Sequence, residues 1–393
     1  MKSWLEISEE RLAANFKALG RVAGDGIAVL AVVKADAYGH GATVCAPALA
    51  RAGAEWLGVT DAAEGAVVRG ALSGAAGQVK ILVMSGLLEE DAADIVRHRL
   101  TPIVWTRQEA EWLACEVRRQ GAAPLDVHLE IDTGMARQGV VPGAELRSLL
   151  EWLAAQWELR LDGVMTHFAS AEVADSPLTQ RQRERFEQAL GEVADAGLRP
   201  AWIHAGNSST IDNSSACGGD CGSLVWLREV AARSGARAMI RAGLALYGYC
   251  LPVEGAKALA APDLRPVMTW KARVIGVREV EAGDTVGYNA IFTATHPMRL
   301  ALLPVGYADG LRRELSGSDS TPGGWAMLRG QRARIVGRVS MNLTIVDVTE
   351  IPGVAVGDEA VLLGDGVTAD DHARLAHTIA YEIVCGMRAE PRL

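Results

Sequence analysis

Residues 27–41 read IAVLAVVKADAYGHG. An unbroken apolar run ends at Lys34, and a turn rich in glycine follows. A run that is apolar at every position, not at alternate ones, fits a strand covered on both faces, as in a parallel sheet. A lysine in such an apolar surround loses proton affinity through desolvation. A lowered pKa suits a lysine that forms a Schiff base. The position is equally open to a solvated lysine at a strand end.

Outward from this stretch the same theme recurs. Seven further runs follow: WLGVT (56–60), VKILVMS (79–85), TPIVWT (101–106), LDVHLEID (125–132), LDGVMTHF (161–168), AWIHAGN (201–207) and AMIRAGLALYG (238–248). Amphipathic helical patterns separate them, among them 107–121, 144–157 and 179–197, and a helix capped by Ser8 opens the chain at 9–19. Alternation of this kind predicts parallel strands with crossover helices. Eight such units within about 245 residues predict a closed (β/α)8 TIM-type barrel. An open doubly wound sheet is the alternative, but no Gly-rich dinucleotide fingerprint follows the first run.

The pattern changes near residue 264. Short β-rich runs such as MTWKARVIGVREV, LALLPVGYADG, ARIVGRVSMNLTIVDV and AVGDEAVLLG follow one another, with helical periodicity confined to about 371–382. The α/β barrel is therefore expected over 1–255 and a mostly β domain over 256–393, with a linker at 251–266 and a polar loop at 316–324.

Composition narrows the classes. The chain has 393 residues, nearly half of them apolar, enough for two cored domains. The net charge of −9 comes with no basic tract, which argues against a nucleic-acid partner. No apolar run reaches membrane length and no apolar leader opens the chain, so a cytoplasmic protein is expected. Six scattered cysteines fit free thiols. Cys217 and Cys221 share the segment CGGDC but lack a second ligand pair, so no metal site is expected.

In a barrel, reactive groups lie at the C-terminal ends of the strands. Lys34, Glu130, Asp132, Arg137, His167, His204, Asn207, Ser208 and Arg241 all fall at such ends. Each alone has an ordinary reading: a solvated lysine, a satisfied histidine, an ion-paired arginine. Their concentration on one rim points to a site.

The block AVVKADAYGHG closely resembles the cofactor-lysine signature of the alanine racemases, and seven more blocks resemble that family in its order: DTGMARQG, THFAS, HAGNSS, RAGLALYG, VGYNAIF, PVGYADG and GRVSMN. The resemblance spans nearly the whole chain. It implies a pyridoxal-phosphate-dependent amino-acid racemase, an isomerase that makes D-alanine, a peptidoglycan precursor. It implies that Lys34 holds pyridoxal 5′-phosphate as a Schiff base and is one general base, with Tyr288 as the other, supplied by the partner subunit of a homodimer. Arg241 would hydrogen-bond the pyridine nitrogen, with His167 and His204 supporting it. Tyr38, Asn207, Ser208, Gly243 and Leu244 would hold the cofactor and its phosphate. Arg137 and the backbone of Met341 would bind the substrate carboxylate, and Tyr307, Arg313 and Arg338 would line the entrance.

Departures from the family accompany the resemblance. Glu130 stands where many members carry a carbamylated lysine. A carboxylate matches a carbamate in charge, so Glu130 is expected to orient Arg137 through a salt bridge that lowers its own pKa. Asn289 replaces a usual glycine, Asn342 a usual aspartate, and Ala389 the gate tyrosine. The last keeps a broader racemase, accepting serine for example, in view. A non-catalytic pyridoxal-phosphate carrier is the reading from another class, and a related decarboxylase a further one. The second domain and Tyr288 argue against the carrier, which needs neither; the decarboxylase needs no tyrosine base on the opposite face, and the motif set fits it poorly.

Overall fold

A computed structural model describes residues 2–213, 222–388 and 391–392. Cys217, Cys221 and Ala389 lie outside them. The chain forms two compact units. One comprises Leu12–Ala37 and Ala42–Leu264; the other comprises Met1–Arg11, Tyr38–Gly41 and Arg265–Leu393.

The first unit is the closed barrel that the alternating pattern predicts. After β1 (Ser3–Ile7), which belongs to the other unit, its staves are β2 (Ile27–Val32), β3 (Trp56–Val59), β4 (Lys80–Val83), β5 (Thr101–Val104), β6 (Leu125–Glu130), β7 (Leu159–Met165), β8 (Trp202–His204) and β9 (Arg237–Ala242). Each pairs in parallel with the next, and β9 closes on β2 with Leu30 opposite Arg241. The all-apolar runs are explained: Leu30, Leu57, Ile81, Val127, Leu129 and Ile203 are fully buried whichever way they point. Ser8 caps the opening helix as expected, its Oγ accepting from the Arg11 N–H at 3.2 Å, and the helix runs on to Ala23.

The turn after Lys34 is less ordinary than its glycines suggest. Residues Lys34–Gly39 form a helical turn in which Ala35, Asp36, Ala37 and Tyr38 all have φ between 51° and 55°. Left-handed helical backbone costs a non-glycine residue roughly 1–2 kcal/mol, so a run of four needs anchoring. The carboxylate of Glu64 accepts from the Ala35 N–H at 2.8 Å and from the Thr60 N–H at 2.8 Å. Asp36 accepts from the Ala42 N–H at 2.6 Å.

The second unit is mostly antiparallel β. Its six-stranded sheet takes β10 (Met268–Arg273), β15 (Trp325–Leu328), β16 (Gln331–Arg334), β18 (Glu359–Leu363) and β19 (Pro391–Arg392) together with β1, in the order β16-β15-β18-β10-β1-β19. A three-stranded sheet orders β11 (Gly276–Val280), β14 (Met298–Leu303) and β17 (Thr344–Asp347), and β12 (Thr285–Val286) pairs with β13 (Phe292–Thr293). The helical stretch expected near 371–382 is two helices, Ala369–Leu375 and Ala380–Cys385. His377, at φ 52°, ends the first, and the Thr378 N–H bonds back to the Ala373 carbonyl at 2.9 Å.

Candidate active site

The C-terminal rim of the barrel collects the residues that the sequence singled out. Lys34 follows β2, Glu130 ends β6, His167 lies two residues past β7, His204 ends β8, Ser208 opens the helix after β8, and Arg241 lies in β9. Arg241 is the hub. Its Nη1 donates to His204 Nδ1 at 3.1 Å, and its Nη2 donates to His167 Nδ1 at 3.1 Å and to the Thr166 carbonyl at 2.8 Å. Burial lowers Arg241 to about 10, with Glu130 opposing the fall, so the guanidinium is cationic at neutral pH. Burial first, then the neighbouring cations Arg241, Arg137 and Lys34, lowers His167 to about 3. Burial drives His204 in the same direction. Both rings are neutral acceptors for a permanent cation.

A second cluster gathers backbone donors. Asn207 caps the helix Ser208–Asp212, its side chain accepting from the Thr210 N–H at 3.2 Å. The Ser208 hydroxyl accepts from the N–H groups of Gly243 (2.9 Å) and Ala245 (3.3 Å), at the start of the 3-10 turn Leu244–Tyr247. A hydroxyl with converging backbone N–H groups is the donor set that holds a phosphate without a lysine clamp. Lys34, Arg241 and this cradle offer an amine, a buried cation and an anion site, which fits a phosphorylated pyridine aldehyde.

Glu130 departs from expectation. It is buried, but its Oε2 accepts from Gln138 Nε2 at 2.5 Å, and no ion pair joins it to Arg137 among the described residues. Its pKa is raised, not lowered, because burial outweighs the Gln138 bond and the more distant Arg241 and Arg137 charges. The loop before Arg137 is built instead on Asp132, whose Oδ1 accepts from the N–H groups of Gly134, Met135 and Ala136 at 2.9–3.1 Å. Gln138 also donates to the Met84 carbonyl at 2.9 Å. It was missed because a glutamine next to an arginine carries no signature of its own. Gln182 was missed for the same reason: from a helix it donates to Thr133 Oγ1 (3.1 Å) and the His167 carbonyl (2.8 Å).

The other unit holds the remaining candidates. Tyr288 is 68% exposed and Met341 57%; Tyr307 and Arg313 are exposed too, and Arg338 is half-buried. The Tyr307 and Ala308 N–H groups bond the carbonyls of Ser340 (3.0 Å) and Met341 (2.9 Å), which joins the blocks PVGYADG and GRVSMN. Gly306 permits this: a Cβ there would lie 2.1 Å from the Ser340 oxygen. Tyr38 is buried against Tyr381 (ring centroids 5.9 Å apart), and burial pushes its phenol up, so it is an O–H donor.

The comparisons with known proteins decide the family. Residues 7–251 match the model of the alanine racemase N-terminal domain, and residues 267–392 match that of the C-terminal domain. The chain belongs to the alanine racemase family. The alanine racemase of Symbiobacterium thermophilum is 38% identical over 396 residues, covering 99% of this chain and 96% of the relative. The solved alanine racemase of Streptomyces coelicolor superposes with a TM-score of 0.85 at 33% identity, covering 100% and 97% of the two chains. That of Bartonella henselae, which carries covalently bound pyridoxal phosphate, gives 0.81 at 25% identity over 100% and 99%. The structure shows the local setting of Asn289 and Asn342. Asn289 has φ 62°, a conformation that asparagine tolerates better than other side-chain-bearing residues. Asn342 Nδ2 donates to Asp309 Oδ2 at 3.4 Å, where an aspartate would set two carboxylates together.

Proposed function

We propose that the chain interconverts L- and D-alanine with pyridoxal 5′-phosphate, as a cytoplasmic homodimer in which the mostly β domain serves the partner's site. The observation that carries this reading is the convergence of Lys34, the buried Arg241 cation and the Ser208–Gly243–Ala245 cradle on one barrel rim. Lys34 would hold the cofactor covalently; Ser208, Asn207, Tyr38 and the backbone at Gly243 and Leu244 its phosphate end; and Arg241 its ring nitrogen, supported by His167. When bound, pyridoxal phosphate supplies the electron sink that makes the Cα–H bond of an attached amino acid acidic.

The protein's own part is positional and acid–base. Arg241, a permanent cation, keeps the ring nitrogen unprotonated, which holds the sink weak and disfavours side reactions. Lys34 moves a proton at one face of the substrate Cα and Tyr288 at the other, since a single base would have to swing across the ring to reach both faces. Arg137 and the Met341 N–H bind the substrate carboxylate, and Tyr307, Arg313 and Arg338 line the way in. The exposure of Tyr288, Tyr307, Met341 and Leu343, apolar groups that water serves poorly, supports a second copy covering them. The test is incubation of the purified protein with L-alanine, pyridoxal phosphate and no other amino acid, followed by chiral chromatography. Accumulation of D-alanine to near equality is expected; no D-alanine overturns the reading.

A further inference from the structure

The hydrogen bonds below Arg241 run on past the rim. His204 Nε2 lies 2.9 Å from His128 Nδ1; beyond it His128 Nε2 has no hydrogen-bond partner among the described residues and faces Asp162 Oδ2 at 3.9 Å, an ion-pair distance. Asp162 takes a bond from Lys80 Nζ at 2.9 Å, and Lys80 also reaches Asp126 at 3.3 Å. These residues belong to β4, β6, β7, β8 and β9, so the line crosses the barrel interior from its catalytic rim toward the N-terminal ends of the strands. Both imidazoles are fully buried.

Proton bookkeeping gives the line a direction. A guanidinium has donors and no acceptor, so His204 Nδ1 must be bare. A buried neutral ring then carries its proton on Nε2 and donates it to His128 Nδ1. His128 in turn must carry its proton on Nε2, facing the Asp162 carboxylate. Any other tautomer, or a charge on either ring, sets two N–H groups against each other at about 3 Å. Burial holds His128 and His204 below the usual histidine range, and His128 and Lys80 hold Asp162 below the usual carboxylate range despite its burial. The backbone is shaped for this ring: Gly163 stands opposite His128 in β7, and a Cβ there would lie 2.6 Å from the imidazole.

We infer that His128 and Asp162 are positioning residues for Arg241, fixing His204 in the tautomer that accepts from the guanidinium. The inference rests on the proposed function for what Arg241 then does, but not for the tautomers themselves. Remove the acceptor at 128 and His204 has no partner for its Nε2 proton. The ring is then free to place the proton on Nδ1, where it opposes Arg241, and the guanidinium must turn.

Two variants separate this from plain packing. His128→Phe fills the space without an acceptor; His128→Gln restores one. The first measurement is made on cofactor-free protein: nitrogen-15 NMR of the histidine rings, assigned by the signals lost in the His128 variants and in His204→Gln. Wild type should show Nε2–H with bare Nδ1 for both His128 and His204. A proton on His204 Nδ1 overturns the inference whatever the enzyme does. The second measurement loads the protein with pyridoxal phosphate. His128→Phe should shift the absorbance of the bound cofactor and lower kcat by about tenfold or more at little change in KM, since an orphaned buried donor perturbs its neighbours by that order. His128→Gln should recover most of both. Wild-type absorbance and kcat in a folded His128→Phe protein, or equal loss in both variants, also overturns it. An absence of racemisation in wild type would sink the proposed function and leave the NMR result standing.

Discussion

The Arg241 Nη2 atom donates to His167 Nδ1 at 3.1 Å, so a buried cation fixes a buried imidazole as its acceptor. His167 is thereby lowered to about 3 by burial and by Arg241 and its neighbouring cations. The pH profile of kcat/KM should carry no ionisation of His167 between pH 5 and 8. An acid limb near pH 6.5 that vanishes in His167→Gln would refute this.

The assignment of Lys34 predicts a yellow protein whose cofactor linkage borohydride reduces onto that residue. Lys34→Ala should lose the linkage and nearly all turnover. Peptide mapping is the check; a modified Lys80 or Lys271 would count against the assignment.

Tyr288→Phe should cut racemisation by about 10²–10⁴, the usual cost of removing a general acid–base group, with cofactor absorbance retained. If Tyr288 serves the partner's site, mixing inactive Lys34→Ala and Tyr288→Phe chains should restore activity through one intact composite site per heterodimer. No recovery after subunit exchange verified by mass spectrometry would place both groups of a site on one chain.

Glu130 is a permanent carboxylate, so activity should ignore degassing and added bicarbonate, unlike that of an enzyme dependent on a carbamate. Burial raises its pKa. A group raised on folding contributes stability at low pH and loses it as pH rises through the folded value. Glu130→Gln removes that loss, so the variant should unfold in urea at neutral pH no earlier than wild type, while the KM for alanine rises as Arg137 and Arg241 lose a nearby charge. A clear fall in the urea midpoint of Glu130→Gln would mean the charge itself supports the fold.

His372 is buried, neither ring nitrogen has a hydrogen-bond partner among the described residues, and burial lowers it to about 4. The unfolded chain, at about 6.5, takes up the proton first, so stability is complete above that value and falls as pH drops from about 6.5 toward 4. The loss from this one residue is on the order of 3 kcal/mol at the bottom of that window. His372→Leu should flatten that acid limb in urea titrations run from pH 7 to 4; an unchanged slope would show that the ring protonates without unfolding.

The sequence alone determined the barrel and many of the residues at its rim, because a strand covered on both faces reads as a nearly unbroken apolar run, and a polar residue at or near the end of such a run stands at the strand's C-terminal end. Lys34, His204 and Arg241 were legible for that reason. Partnership was not. Nothing local tells Ser3–Ile7 that it pairs antiparallel with Met268–Arg273, far along the chain. Nothing in DTGMARQG says that Gln138, not Arg137, bonds Glu130, or in KADAYG that four residues adopt left-handed backbone held by Glu64. Hydrogen bonds between side chains on different strands depend on register and closure, which only the folded barrel supplies. The line from Arg241 through His204 and His128 to Asp162 exists because closure brings β6, β7, β8 and β9 around one interior. The direction of its protons follows from one fact that the sequence does contain: an arginine can only donate.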